Sequence, residues 1–144
     1  MKWKTVSIAL VLLSIVAAGC SSQPPRDAVV EVGCDGFAAA STDPAKITRS
    51  VTVDKGGLVV LRLCSNPSTG FAWEDAVIST PSVLAEKSRE SIAPGVTMPG
   101  SAGLEQWTFE ATGKGACTIA LSYSRPWEGG EKGIWLFELE VVVE

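Results

Sequence analysis

After residue 27 the sequence alternates between apolar and polar residues with period two, and that pattern restricts the fold more than any other feature. Val59, Leu61 and Leu63 alternate with Val60 and Arg62, and Trp107, Phe109 and Ala111 alternate with Gln106, Thr108 and Glu110. Trp135, Phe137, Leu139, Val141 and Val143 share one face, with Glu138 and Glu140 on the other. Such a period belongs to strands with one buried and one wet face, the usual state of antiparallel sheets. Weaker alternation marks Ala28 to Cys34 and Ser50 to Asp54. Turn signals recur at Gly56-Gly57, Asn66-Pro67, Gly113 to Gly115 and Gly129-Gly130. Short strands at this spacing predict an all-β sandwich. Residues 81–90 fit either one helical turn capped by Ser82 or a polar edge strand, and the strand is preferred. Ala38-Ala39-Ala40 is expected in a loop.

The N-terminus does not follow this pattern. Met1-Lys2-Trp3-Lys4 is basic, and residues 7–18 form an apolar run that is short for a bilayer span and reads as the core of a secretory signal. It ends in Ala17-Ala18-Gly19-Cys20. Small residues directly before a cysteine resemble a bacterial lipobox, in which the cysteine is lipidated and becomes the new N-terminus; an ordinary signal peptide is the alternative. The expected organisation is a signal peptide over 1–19, a lipidated N-terminus and tether over 20–27, and a folded domain over 28–144. The protein is then exported and held in a bacterial cell envelope by a lipid on Cys20. The chain has a formal charge of −4, and cleavage removes Lys2 and Lys4, so no basic face for nucleic acid is expected.

The 144 residues contain no histidine, which removes the commonest general base, every Ser-His-Asp or Cys-His arrangement and all His-containing metal sites. Neither a cofactor nor a metal is expected, and an enzyme is not. Cys34, Cys64 and Cys117 remain after Cys20, without a CxxC pair, so one disulfide and one buried thiol is the economical solution in an oxidising compartment. Cys117 shares the parity of Ile119 and Leu121 and is expected inward. Cys64 shares the parity of Arg62, at the outward end of its strand, where a partner can reach it. Cys34–Cys64 is the favoured pair, worth about 3–4 kcal/mol in the chain-entropy description.

Three loops differ from ordinary turns. In the first, Asn66-Pro67-Ser68-Thr69-Gly70-Phe71, Pro67 stiffens the backbone and Gly70 permits a positive φ, holding Ser68 and Thr69 at the tip. Asn66 is the only asparagine in the chain, and Pro67 spoils it as a glycosylation acceptor. Trp73, at the root, is expected in the core. The second loop, residues 94–103, is a long glycine- and proline-rich connection carrying apolar Val96 and Met98. The third, residues 125–130, places Trp127 beside Pro126 and Arg125 in a glycine-rich turn, and Trp and Arg are favoured interface residues. Each loop taken singly also reads as a plain connection. In a seven-stranded sandwich, however, their positions correspond to loops that emerge at one end.

Asn66 to Trp73, Gly100-Ser101-Ala102-Gly103 followed by Trp107-Thr108-Phe109, and Tyr123-Ser124-Arg125-Pro126-Trp127, in this order, resemble the chagasin family of inhibitors of papain-like cysteine peptidases. The resemblance covers residues 47–143 and implies an immunoglobulin-like antiparallel β-sandwich of about seven strands. It further implies reversible, non-covalent occlusion of a peptidase cleft by a row of three loops. Asn66, Pro67, Ser68, Thr69, Gly70 and Phe71 lie over the catalytic cysteine. Gly100, Ser101, Ala102 and Gly103 grip one side, and Arg125, Pro126 and Trp127 the other. The second loop departs from the family's denser run of glycine at Ser101 and Ala102. The partners implied are a papain-like cysteine peptidase and, through the lipid, a membrane; a monomer is expected. The alternative is an envelope-anchored immunoglobulin-like module binding a glycan or a surface protein through the same aromatics.

Overall fold

The computed structural model describes residues 26–96 and 98–144; the expected signal peptide and Cys20 lie outside them. Nine strands and one short helix follow in the order β1 (Ala28–Val32), α1 (Cys34–Ala38), β2 (Ala45–Val53), β3 (Leu58–Ser65), β4 (Ala72–Trp73), β5 (Val77–Ile78), β6 (Leu84–Ile92), β7 (Gly103–Ala111), β8 (Gly115–Ser124) and β9 (Trp135–Val143). One sheet has the order β1-β3-β7-β6. The other runs β2-β9-β8-β4, with β5 also paired to β8.

The alternating faces become the core. Val59, Leu61 and Leu63 of β3 and Trp107, Phe109 and Ala111 of β7 are buried from one sheet. Cys117, Ile119, Leu121 and Tyr123 of β8 and Phe137, Leu139, Val141 and Val143 of β9 face them from the other. Packing two such faces removes the apolar side of each strand from water while Glu138, Glu140 and Thr108 stay on the outer faces.

The sandwich is as expected, with three corrections. Two pairings are parallel: β1 lies on β3 in the register Ala28↔Val59 to Val32↔Leu63, and β2 lies on β9 from Ala45↔Trp135 to Val53↔Val143. Alternation reports which face is buried and is blind to strand direction, so it cannot distinguish an N-terminal strand added parallel to a sheet edge. Second, the run from Ala28 does not continue as strand to Cys34. It turns at Gly33 into α1, which takes in Ala38 from the alanine run expected as loop and buries Phe37. Third, Cys64 has the parity expected of it but is fully buried, because its disulfide to Cys34 lays the start of α1 over that end of β3. Cys117 is a buried free thiol.

From Leu84 onward the 81–90 segment is an edge strand, β6, as preferred, while residues 81–83 form a turn closed on the Thr80 carbonyl. A bulge between Glu86 and Ser88 shifts its register on β7 and turns Arg89 inward opposite Trp107. There Arg89 Nε donates to Glu105, Nη2 donates to the Trp73 carbonyl (2.6 Å), Nη1 approaches Asp75 (3.3 Å), and the guanidinium carbon lies 5.1 Å from the centre of the Trp107 ring. A bulge and an inward charge both discourage pairing of an exposed edge with another chain. They also tie the hairpin of β6 and β7, which carries the second loop, to the strand that leaves the first.

Candidate functional site: three loops at one end of the sandwich

The first loop leaves β3 and returns as β4, and its conformation follows from its sequence. Pro67 opens a single 3-10 turn, Pro67–Thr69, which Gly70 closes at φ 81°, a left-handed value that costs glycine little. Asn66 organises the turn. Its carbonyl accepts from the Thr69 hydroxyl (2.7 Å) and the Thr69 N–H (3.1 Å), and its Oδ1 accepts from the Ser68 hydroxyl (2.6 Å). The Asn66 N–H donates to the phenol oxygen of Tyr123 (2.8 Å). A local asparagine network of this kind is what makes Asn-Pro a turn former. Pro67, Ser68 and Thr69 are exposed at the tip.

The second loop touches the first directly: the Asn66 side-chain amide donates to the Gly100 carbonyl (3.0 Å). Within the loop, the Met98 N–H donates to the Val96 carbonyl and the Ser101 N–H to the Met98 carbonyl. Val96 and Met98 are 66% and 65% exposed. Of the four residues Gly100 to Gly103, Gly100 alone is fully at the surface. Ala102 packs against the core, and Gly103 already belongs to β7, where a Cβ would strike the backbone of Ile92. Ser101 and Ala102 are half-buried, so the two departures from a glycine run lie at the base of the loop.

The third loop joins β8 to β9. Its backbone is closed by the Arg125 N–H on the Glu131 carbonyl (2.8 Å) and by the Lys132 ammonium, which donates to the Arg125 carbonyl (2.6 Å). Trp127 is 52% exposed, and its ring edge reaches the first loop, since a Cβ on Gly70 would lie 2.8 Å from it. The guanidinium carbon of Arg125 sits 4.5 Å above the Phe71 ring and 5.8 Å from the centre of the Trp127 ring, within cation–π range of both.

The structure therefore brings all three loops together at one end, as expected. The residues divide by exposure. Pro67, Ser68, Thr69, Gly100, Pro126 and Trp127 form the outer edge, whereas Phe71 is buried and stacks on Tyr123 (5.7 Å between ring centres). Phe71 thus anchors its loop from below, as does Trp73, whose indole N–H donates to the Cys64 carbonyl (2.9 Å). Beside the outer edge a concavity of about 380 Å³ lies between the first and second loops, lined by Asn66, Thr69, Phe71, Gly100, Ala102, Tyr123, Ile134, Trp135 and Cys34.

Two contributors were not among the site residues expected from the sequence, although Tyr123 opens the third motif of the resemblance. Tyr123 reads as one more inward residue of an alternating strand, and nothing in the alternation shows that its hydroxyl serves a loop more than fifty residues earlier. Lys132 reads as a solvated charge after a glycine turn. The edge carries exposed apolar and hydroxyl groups on a braced backbone, an arrangement suited to filling a cleft.

Comparison with known proteins agrees with this geometry. Residues 52–141 match the family model described as chagasin family peptidase inhibitor I42. The chain is 32% identical to chagasin of Trypanosoma cruzi over 83 residues, 56% of this chain and 76% of that one. It is 29% identical to amoebiasin-2 of Entamoeba histolytica over 86 residues, 60% of this chain and 70% of that one. Among solved structures it resembles the cysteine protease inhibitor EhICP2 of Entamoeba histolytica, with a TM-score of 0.63 at 21% identity over 83% of this chain and 99% of that one. It also resembles PbICP-C, solved in complex with falcipain-2, with a TM-score of 0.61 at 14% identity over 81% and 98% of the two chains. At these identities the structural likenesses describe the fold.

Proposed function

This chain belongs to the chagasin family of peptidase inhibitors, and from that premise we propose that it inhibits papain-like cysteine peptidases by inserting its three loops into the substrate cleft. It is an inhibitor and not an enzyme: inhibition is reversible occlusion, and no bond is made or broken by this chain. The observation that carries the reading is the mutual bracing of the loops. Asn66 ties the first loop to the second, while Arg125 and Trp127 tie the third to the first. A braced edge loses little conformational entropy on binding, so more of each contact appears as affinity.

In this reading Thr69 stands over the catalytic cysteine of the peptidase and blocks it sterically. Trp127 lies on an apolar surface beside the cleft, and Met98 and Val96 meet the opposite wall. The histidine and thiol of the chemistry belong to the partner. The inhibitor acts as an exported monomer, carried on the envelope by a lipid at Cys20. Titration of the purified protein into papain is the test. Stoichiometric loss of peptidase activity, recovered on dilution, is expected; full activity at micromolar inhibitor excess overturns the proposal.

A further inference from the structure

None of the three loops includes a residue of the N-terminal segment, yet an unbroken run of ring contacts joins that segment to them. Phe37 of α1, 1% exposed, stacks on Trp135 with 4.8 Å between ring centres and 12° between planes. Trp135 stacks on Tyr123 at 4.8 Å and 10°, and Tyr123 stacks on Phe71 at 5.7 Å and 26°. Arg125 then caps Phe71. The same segment reaches the first loop by a second route, because the disulfide binds Cys34 to Cys64, two residues before Asn66. Both routes end on Asn66, one through its backbone and one through the Tyr123 hydroxyl that its N–H meets.

We propose that α1 is a positioning element for the inhibitory edge, with Phe37 setting the Trp135–Tyr123 stack and thereby the placement of the first and third loops. The proposal rests on the reading of those loops as the peptidase contact. Ring stacks are stiff, each ring having only two side-chain torsions, and close packing transmits displacement along them. Without the Phe37 ring, Trp135 loses its partner on one side, and the rotation open to it passes to Tyr123. The phenol oxygen then no longer meets the Asn66 N–H at one fixed position, and the first loop enters the cleft from a wider set of conformations.

The experiment compares the full chain with Phe37→Leu, which keeps bulk and removes the ring, and Phe37→Tyr, which keeps the ring. Two quantities are read well below the melting temperature: the Asn66 amide resonance and the rate of dissociation from papain. Phe37→Leu is expected to shift the amide resonance and to raise the dissociation rate about tenfold with little change in association, the usual division for loosened interfaces. Phe37→Tyr is expected to restore both. An unmoved amide, or a moved amide with unchanged dissociation, overturns the proposal. If Phe37→Leu does not fold, Trp135→Leu interrupts the same stack one ring further on and is read in the same way. Should the parent chain fail to inhibit, the peptidase reading falls by itself, and an unmoved amide in Phe37→Leu then overturns the positioning role.

Discussion

The first and second loops emerge side by side, are both rich in glycine and proline, and are held by quite different means. The first is a six-residue loop in which one asparagine makes four hydrogen bonds inside the loop or to Tyr123, with a buried phenylalanine at its root. The second is longer, closes on two of its own backbone hydrogen bonds among the described residues, and otherwise leans on the first through Gly100. Its Val96 and Met98 side chains point into solvent. A braced tip suits a contact that must be the same in every complex, such as a blocked catalytic centre. A loosely held apolar flap suits cleft walls that vary between enzymes, because long loops adapt at small thermodynamic cost.

This contrast is open to attack with inhibition constants for papain. The largest effect is expected from Thr69→Arg, which places a long charged side chain on a tip with no freedom to yield; about a 100-fold loss follows if a few kcal/mol of contact and desolvation are forfeited. Trp127→Ala removes the exposed ring against which the first loop rests, and about a 30-fold loss is expected of an interface anchor worth about 2 kcal/mol. Asn66→Ala removes the side-chain bonds to Ser68 and Gly100 while its backbone still meets Tyr123. With each exposed bond worth about 0.7 kcal/mol, roughly a tenfold loss is expected, and the melting temperature should stay within a few degrees. Met98→Ala is expected to cost about threefold, the loss of one partly buried apolar contact in an adaptable loop. Inserting two glycines after Gly95 should change the constant by about twofold or less. Should either change in the second loop cost as much as Asn66→Ala, the division into a fixed tip and an adaptable flap is wrong. Thermal melts of Thr69→Arg and Trp127→Ala provide the control, since a large loss of stability in either means that it belongs to the core.

Much of this arrangement is legible in the chain itself. The stripe Val59, Leu61, Leu63 and its counterparts in β7, β8 and β9 marks the core faces without ambiguity, because a one-residue slip would expose every one of them. The first loop is equally legible, since Pro67 and Gly70 leave its backbone little choice. Strand direction at β1 and β2 is not, because parity is the same for parallel and antiparallel neighbours. Nor is α1, five residues with no side-chain cap, whose stability comes from Phe37 packing on Trp135 and from the disulfide, not from helix propensity. The inward turn of Arg89 escapes for a similar reason: a bulge shifts the alternation at Glu86/Ser88, and a bulge is a property of the pair of strands.

The sequence by itself determined a two-sheet core, three shaped loops and, with no histidine among its 144 residues, that these residues form no Cys-His pair. These are local properties, set by side-chain period, by the torsions of proline and glycine and by which functional groups exist at all. Only the tertiary structure decided that Tyr123 and Phe71 lie under the first loop, that Arg125 and Trp127 close over it, and that a helix from the opposite end of the chain abuts the same stack. Those relations join residues far apart in sequence through contacts of a few ångströms, and they arise only when the two sheets close on each other.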